Sequence, residues 1–168
     1  MSFTNYLSFS PSLNPTKAVP STVAAIKSLN ADEQLILLWQ IYKSTDMGGW
    51  IAIAAPGAAR FKLTEGLINQ IKGMSPSEQL QLLRELANQA NTSTSRAYGV
   101  FNGNNKLTFW YQLASLMQSG ELVPVPENFQ LSPSAAEVLN KITLLDFGRQ
   151  VQVLRRLFLD MGQDPFAP

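Results

Sequence analysis

Residues 26–38 read IKSLNADEQLILL, and residues 71–83 read IKGMSPSEQLQLL. The two stretches share Ile-Lys, an apolar residue, a capping residue, Glu-Gln-Leu and Leu-Leu, in the same order and at the same spacing. In each stretch one helix ends and another begins, because Asn30 with Glu33 and Ser75 with Glu78 have the spacing of a capping box. A helix–cap–helix unit used twice predicts two similar helical subdomains packed against each other. The alternative is that two capped hairpins converged on one common pattern.

The rest of the chain also has the pattern of helices. Ser75-Pro76 and Ser132-Pro133 each combine an N-cap with a proline at the first helical position. The nearest approach to a strand is WIAIAAPGAA at 50–59, where Pro and Gly favour a loop or a very short strand. The sequence therefore predicts an all-α fold, with an N-terminal arm at 1–19, a helical domain at 20–168, and helices at 21–29, 31–43, 64–73, 76–90, 93–101, 106–119, 133–144 and 147–160.

Composition excludes several classes of function. The 168 residues include 13 Lys and Arg against 12 Asp and Glu, so no excess of basic charge indicates nucleic-acid binding. The chain has no cysteine and no histidine, which removes disulfides, thiolate metal sites and the usual general base. No apolar run reaches the ~20 residues of a membrane span. The N-terminus, MSFTNYLSFS, lacks the basic segment of a signal peptide, so we expect a cytoplasmic protein.

Two apolar stripes stand out within the predicted helices. Leu35, Leu38, Trp39 and Tyr42 share one helical face, and so do Leu107, Trp110, Tyr111 and Ala114 in the stretch LTFWYQLASLM. The predicted helix that carries this second stripe, at 106–119, has apolar residues on almost all of its faces. These aromatic residues are either ordinary core residues or the lining of a seam between the two subdomains. Because each stripe combines flat aromatic rings with slender aliphatic side chains, such a seam would suit a flat, elongated apolar guest.

Four stretches carry a resemblance to a known family. They are EQLILLWQIY (33–42), AIAAPGAA (52–59), NKLTFWYQLASLMQSGELVPVPENFQLS (105–132) and VLRRLFLDMG (153–162). In this order they resemble the N-terminal domain of the cyanobacterial orange carotenoid protein, over roughly residues 18 to 162. The sequence stops at MGQDPFAP, without the mixed α/β domain that follows in the full-length family. It therefore resembles the helical carotenoid proteins, the stand-alone paralogues of that domain.

The resemblance implies two interleaved four-helix bundles with a carotenoid tunnel between them. The expected pigment is a non-covalent keto-carotenoid of the canthaxanthin, echinenone or 3'-hydroxyechinenone type, and chloride is a further expected ligand without assigned residues. Tyr42 and Trp110 match the pair that encloses one end ring of the pigment. The positions that match the tunnel lining are Leu35, Leu38, Trp39, Tyr42, Ile53, Leu80, Leu83, Leu86, Leu107, Trp110, Tyr111, Ala114, Met117, Val125 and Phe129.

The implied function is photoprotection, by quenching singlet oxygen or the phycobilisome antenna, or else pigment transport. Asn104 and Arg155 match contacts to the second domain, so the expected partners are a separate homologue of that domain and the phycobilisome core, at the cytoplasmic face of the thylakoid. From the residues alone, Arg155 also fits a surface charge beside Arg156.

Two other classes of function compete with pigment binding. A helical interaction module would receive a partner helix in the apolar seam instead of a pigment. An enzyme is not expected, because carboxylates such as Glu33, Glu78 and Glu137 occur at helix starts or on the surface, and no motif pairs them as acid and base. By the resemblance, the segment KSTDMGGW at 43–50 is two residues longer than its counterpart in the family, so it carries no site assignment.

Overall fold

A computed structural model describes residues 15–44, 62–122 and 130–166 of the chain. Over these residues every helix or strand is an α-helix, which confirms the all-α prediction. The helices are α1 (Pro15–Lys27), α2 (Ala31–Ser44), α3 (Lys62–Lys72), α4 (Pro76–Ala87), α5 (Ser93–Gly99), α6 (Gly103–Ser119), α7 (Pro133–Thr143) and α8 (Phe147–Asp160).

The helices pack as two four-helix bundles. In the first bundle α1 packs against α7 and α8, and α2 packs against α7. In the second bundle α3 packs against α5 and α6, and α4 packs against α5. The two bundles meet where α2 contacts α4 and where α6 contacts α8. The first bundle therefore combines the two ends of the described chain, and the second is inserted between them, which is the interleaved arrangement that was expected.

Local capping explains where several helices begin. Ser75 and Glu78 form the predicted capping box, in which the Ser75 hydroxyl accepts from the Glu78 N–H and the Glu78 carboxylate accepts from the Ser75 N–H. Hydrogen bonding of the Glu78 carboxylate to Ser75, first to its backbone N–H and then to its side chain, lowers the pKa of Glu78. At the start of α2 the Asn30 side chain accepts from the Glu33 N–H at 2.8 Å, while the Glu33 carboxylate accepts a hydrogen bond from Ser132 of the other hairpin of this bundle.

The first helix differs from its prediction. It begins at Pro15 instead of residue 21, so the end of the predicted N-terminal arm is helical. The prediction failed because Pro20, inside this helix, lacks a backbone N–H and costs a helix interior about 3 kcal/mol. Val19, Val23 and Ile26 are buried in the core, and each such side chain contributes roughly 1.5–3 kcal/mol, which is enough to offset the proline. The other seven helices begin and end within a few residues of their predicted limits.

The repeat seen in the sequence marks the junction at which one helix of a hairpin ends and the next begins, which we call a corner. The same corner structure recurs in several hairpins. At three corners a glutamine four residues after the N-cap donates from Nε2 to the carbonyl of the residue before the cap. The pairs are Gln34 to Leu29 at 2.9 Å, Gln79 to Met74 at 3.3 Å, and Gln150 to Leu145 at 3.2 Å. The third copy was missed in the sequence because it shares little more than an isoleucine, the apolar residue before the cap and the glutamine. Each bundle thus contains at least one such corner.

Candidate functional site

An apolar pocket lies between the two bundles. It contains about 480 Å³ of empty space, part of it open to solvent. The first bundle contributes residues of α2 and α8 to its wall, and the second bundle contributes residues of α4 and α6. The lining residues are Leu35, Leu38, Trp39, Tyr42, Leu83, Trp110, Ala114, Met117, Leu154 and Phe158. Apart from the Tyr42 hydroxyl and the two indole N–H groups, every side-chain atom of this lining is apolar.

Two aromatic pairs give the pocket flat walls. Trp39 and Tyr42 stack within α2, with ring centres 5.4 Å apart and planes 10° from parallel. Trp110 of α6 stacks on Phe158 of α8 across the bundle interface, at 5.1 Å and 11°. Parallel aromatic faces of this kind favour contact with a second flat conjugated system. The site is therefore suited to a planar apolar group.

The polar atoms of the Trp110, Tyr98 and Tyr42 rings already have partners. Trp110 Nε1 donates to the Tyr98 hydroxyl at 2.9 Å, and that hydroxyl donates to the carbonyl oxygen of Phe158 at 2.5 Å. Burial raises the pKa of Tyr98 well above its ordinary value, and the hydrogen bond from Trp110 opposes this. The Tyr42 hydroxyl donates to Gln118 Oε1 at 2.9 Å, and burial followed by repulsion from Tyr111 raises the pKa of Tyr42. A guest in this pocket therefore does not need to satisfy these groups.

The pocket brings together eight of the fifteen residues that were expected to line the tunnel. They are Leu35, Leu38, Trp39, Tyr42, Leu83, Trp110, Ala114 and Met117. Leu80, Leu86, Leu107 and Tyr111 are outside the pocket lining, and all four belong to the surrounding core or pack against it. Ile53, Val125 and Phe129 lie outside the described residues, as do the 43–50 segment beyond Ser44 and the AIAAPGAA motif.

Two lining residues, Leu154 and Phe158, were missed in the sequence. They lie four residues apart on α8, so helical spacing alone places them on one apolar face. That spacing predicts burial but not the neighbouring helix, and the stretch VLRRLFLDMG was used only for the family resemblance. The signal that could have found them is the strongly one-sided apolar face of this helix.

The two residues expected to bind a partner lie on different bundles. Asn104 is exposed in the first turn of α6, and Arg155 is partly exposed on α8. The two positions are near each other, because a Cβ placed on Gly103 would be 3.3 Å from Arg155 Nη2. They therefore belong to one region of the surface, at an edge of the bundle interface.

The carboxylates considered for catalysis have structural surroundings. Glu33 contacts Ser132, Glu78 completes a capping box, and Glu137 is exposed on α7. Among the described residues no group of three or more acidic side chains is placed to hold a metal ion. Within the same residues, no helix combines the length and apolar character that crossing a membrane requires.

Comparison with known proteins gives consistent matches. The family model described as "Orange carotenoid protein, N-terminal" matches residues 13–164. An orange carotenoid-binding domain-containing protein of Nostoc sp. (strain PCC 7120) is 50% identical over 150 residues, which cover 89% of this chain and 86% of the relative. The solved Orange Carotenoid Protein of Anabaena (Nostoc) sp. PCC 7120, binding canthaxanthin, is 39% identical with a TM-score of 0.80, over 91% of this chain and 50% of that protein.

A shorter solved relative matches along almost its whole length. The Red Carotenoid Protein of the same organism, also binding canthaxanthin, is 35% identical with a TM-score of 0.74, over 88% of this chain and 99% of that protein. The present chain thus spans about half the length of the solved Orange Carotenoid Protein it matches, and nearly all of the Red Carotenoid Protein.

Proposed function

Because this chain belongs to the family of the orange carotenoid protein N-terminal domain, we propose that it binds a keto-carotenoid non-covalently in the pocket between its two bundles. The observation that carries the proposal is the pocket itself, whose walls are apolar and whose aromatic rings form two parallel pairs. Solved relatives that bind canthaxanthin support the choice of pigment class.

The residues present fit such a pigment. Its conjugated chain is apolar, and its end rings are flat enough to lie against the faces of Trp110 and Tyr42. Burying about 400 Å² of polyene at ~25 cal/mol/Å² contributes on the order of 10 kcal/mol before the costs of ordering. That contribution is large enough to retain the pigment without a covalent bond, a thiol or a metal.

The role we propose for the protein with its pigment bound is photoprotection. The pigment, when bound, supplies low-lying excited states that accept energy from singlet oxygen or from an antenna pigment and release it as heat. The protein holds the pigment in a fixed position and keeps water from part of its surface. Antenna quenching, singlet-oxygen quenching and pigment transport are all compatible with this role. Catalysis is not part of the proposal, since Glu33 and Glu78 are engaged in helix-end contacts.

The partners remain proposals of the same kind. A separate homologue of the family's second domain, and the phycobilisome core, would contact the surface that carries Asn104 and Arg155. We place the present protein itself in the cytoplasm, at the thylakoid face that bears phycobilisomes, as part of this proposal. Ile53, Val125 and Phe129 stay proposed pigment contacts from the resemblance alone, and chloride remains an expected ligand without assigned residues.

The test is to produce the chain in a host that makes canthaxanthin and to record the visible spectrum of the purified protein. We expect one visible band, all of whose colour is extracted by organic solvent while the mass of the chain stays unchanged. A colourless protein that captures an amphipathic helix would instead support the interaction module.

A matched pair of variants locates the site. Ala114→Phe places a large ring inside the pocket and should yield a folded, colourless protein. Ala97→Phe adds the same ring to an exposed position of α5 and should keep the colour. If Ala114→Phe retains the wild-type spectrum and pigment yield, the pigment binds elsewhere and the proposed site is wrong.

A further inference from the structure

The corner between α5 and α6 differs from the other three hairpin corners. Four residues after its N-cap, Asn102, it carries Lys106 where the others carry glutamine. The backbone is the same, since the Lys106 N–H donates to Asn102 O at 3.0 Å, as the Gln34 N–H does to Asn30 O. The Lys106 side chain, however, leaves its own corner. Its Nζ donates to the carbonyl oxygen of Leu159 at 2.9 Å, near the end of α8 in the other bundle.

Lys106 is also an unusual cation because it is only 8% exposed. Its ammonium lies 5.3 Å from the centre of the Tyr98 ring. Burial lowers the pKa of Lys106, and attraction to Asp160 and then Asp164 opposes that shift. The last carbonyls of a helix lack intrahelical partners and carry partial negative charge, so the end of α8 is a favourable place for a cation. The contact between α6 and α8 therefore compensates for the burial of this charge.

The bond to Leu159 acts next to the pocket wall. Leu159 follows Phe158 in the chain. The ring of Phe158 lines the pocket, and its carbonyl oxygen accepts a hydrogen bond from the Tyr98 hydroxyl. Three consecutive carbonyls of α8, those of residues 158–160, are thus held by side chains of the second bundle, and Gln89 holds the last of them. Trp110 lies one helical turn after Lys106 on α6 and stacks on Phe158. The hydrogen bond from Lys106 to Leu159 and the stacking of Trp110 on Phe158 therefore join α6 to α8 within one helical turn of each other.

We propose that Lys106 is a positioning residue of the pigment pocket, which clamps the end of α8 to α6 and so sets the distance between the Phe158 and Trp110 sides of the pocket. The identity of the pigment rests on the proposed function, whereas the clamp rests on the contacts of Lys106 alone. Dispersion contacts weaken steeply when a gap of less than 1 Å opens. A small displacement of α8 therefore weakens many contacts to a bound polyene at once.

The variant Lys106→Gln tests the clamp while preserving the corner. Glutamine at this position can fold back onto the carbonyl of Phe101, as the other three glutamines do at their corners, so helical content should be unchanged. We expect canthaxanthin to be lost to phosphatidylcholine vesicles about tenfold faster, because a hydrogen bond from a charged donor is removed. Lys27→Gln is the control, since it removes a cation that pairs with Asp160 at the end of α8 but lies within the first bundle. It should change the rate by less than about twofold.

A second variant distinguishes positioning from general stability. Lys106→Arg keeps a cation and a donor, so it should retain canthaxanthin within about threefold of wild type. If Lys106→Gln does not fold, this variant alone decides, and loss of the pigment from folded Lys106→Arg protein overturns the proposal. Equal rates for Lys106→Gln, Lys27→Gln and wild type overturn it as well.

The clamp can also be measured without pigment, which separates its failure from that of the proposed function. In a chain with Trp39→Phe and Trp50→Phe, Trp110 is the one remaining tryptophan. In this background Lys106→Gln should shift the Trp110 emission to longer wavelength and increase its quenching by acrylamide. If wild type binds no canthaxanthin yet Lys106→Gln shifts this emission, the proposed function fails and the clamp stands. If the emission is unchanged, the clamp is refuted.

Discussion

Alanine at Gly99 should destabilise the protein, whereas alanine at Gly66 should stabilise it. Gly99 ends α5 and lies beneath the segment that follows α8. A Cβ at this position would be 1.8 Å from the carbonyl oxygen of Gln163, and neither that backbone atom nor α5 can yield without moving the segment. A Cβ on Gly66, in the middle of α3, would meet no atom within 4 Å. The two substitutions are chemically identical and differ only in their surroundings.

The expected size of the effect follows from what holds this segment in place. The Gly162 N–H donates to Leu86 O at 2.9 Å and the Gln163 N–H donates to Ser95 O at 3.1 Å. Each such bond is worth about 1 kcal/mol, and the buried Met161 side chain adds roughly 1.5–3 kcal/mol. After the helix propensity gain of alanine, ~1 kcal/mol, Gly99→Ala should lower the free energy of unfolding by about 3 kcal/mol. Gly66→Ala should raise it by roughly 0.5–1 kcal/mol.

Urea unfolding followed by far-ultraviolet circular dichroism measures both changes. With similar m-values, the midpoint should fall for Gly99→Ala and rise for Gly66→Ala. In thermal unfolding the Gly99 variant should melt about 10 °C lower, since 1 kcal/mol corresponds to roughly 2–4 °C in a chain of this size. Equal midpoints for the two variants would show that the segment after α8 does not depend on close packing against α5, and the reasoning would be refuted.

Three further predictions concern the rings and a helix cap. Trp110→Ala and Tyr42→Ala should each weaken retention of canthaxanthin, because each removes an aromatic face worth about 0.5–1.5 kcal/mol beyond its buried area; unchanged spectra and pigment yield in both would contradict the site. Tyr98→Phe should be less stable than wild type at neutral pH by about 1–3 kcal/mol, because the Trp110 N–H loses its acceptor. Because the folded pKa of Tyr98 is raised, its contribution to the free energy of unfolding is complete below the unfolded pKa of about 10 and is lost as the pH rises above that value. The urea midpoints of wild type and Tyr98→Phe should therefore converge as the pH rises past 10. A difference between the two midpoints that stays constant would be evidence against the shift. Ser75→Ala should lower the free energy of unfolding by ~1 kcal/mol in a urea titration, and a change below about 0.3 kcal/mol would mean that this cap is dispensable.

The sequence was informative wherever a local signal determines structure. Ser75-Pro76 and Ser132-Pro133 mark the starts of α4 and α7, because a capping hydroxyl and a proline act within one turn. The start of α1 was mispredicted because the local penalty at Pro20 is outweighed by burial against helices more than a hundred residues away. Local rules contain no term for such distant contacts.

The candidate site was predictable to a similar degree. The stripe that contains Trp39 and Tyr42 was visible from helical spacing, and both residues line the pocket. The same spacing could not distinguish Leu107, which is buried in the core, from Trp110, which lines the pocket, since both lie on one face of α6. Phe158 was missed because a pocket wall depends on which helices meet, and that is a property of the tertiary packing.

The interleaved order of the two bundles has a consequence for the synthesis of the chain. The second bundle, α3 to α6, is continuous in sequence, whereas the first needs α1 and α2 together with α7 and α8. A ribosome therefore completes the second bundle while α1 still lacks its packing partners, α7 and α8, and while α2 can pack only against α4. Leu154 and Phe158 are translated last among the pocket residues. The apolar face of α1, and the part of α2 that packs against α7, consequently stay exposed while about a hundred further residues are translated. We expect chaperones to bind nascent chains at this stage, before α8 has been made.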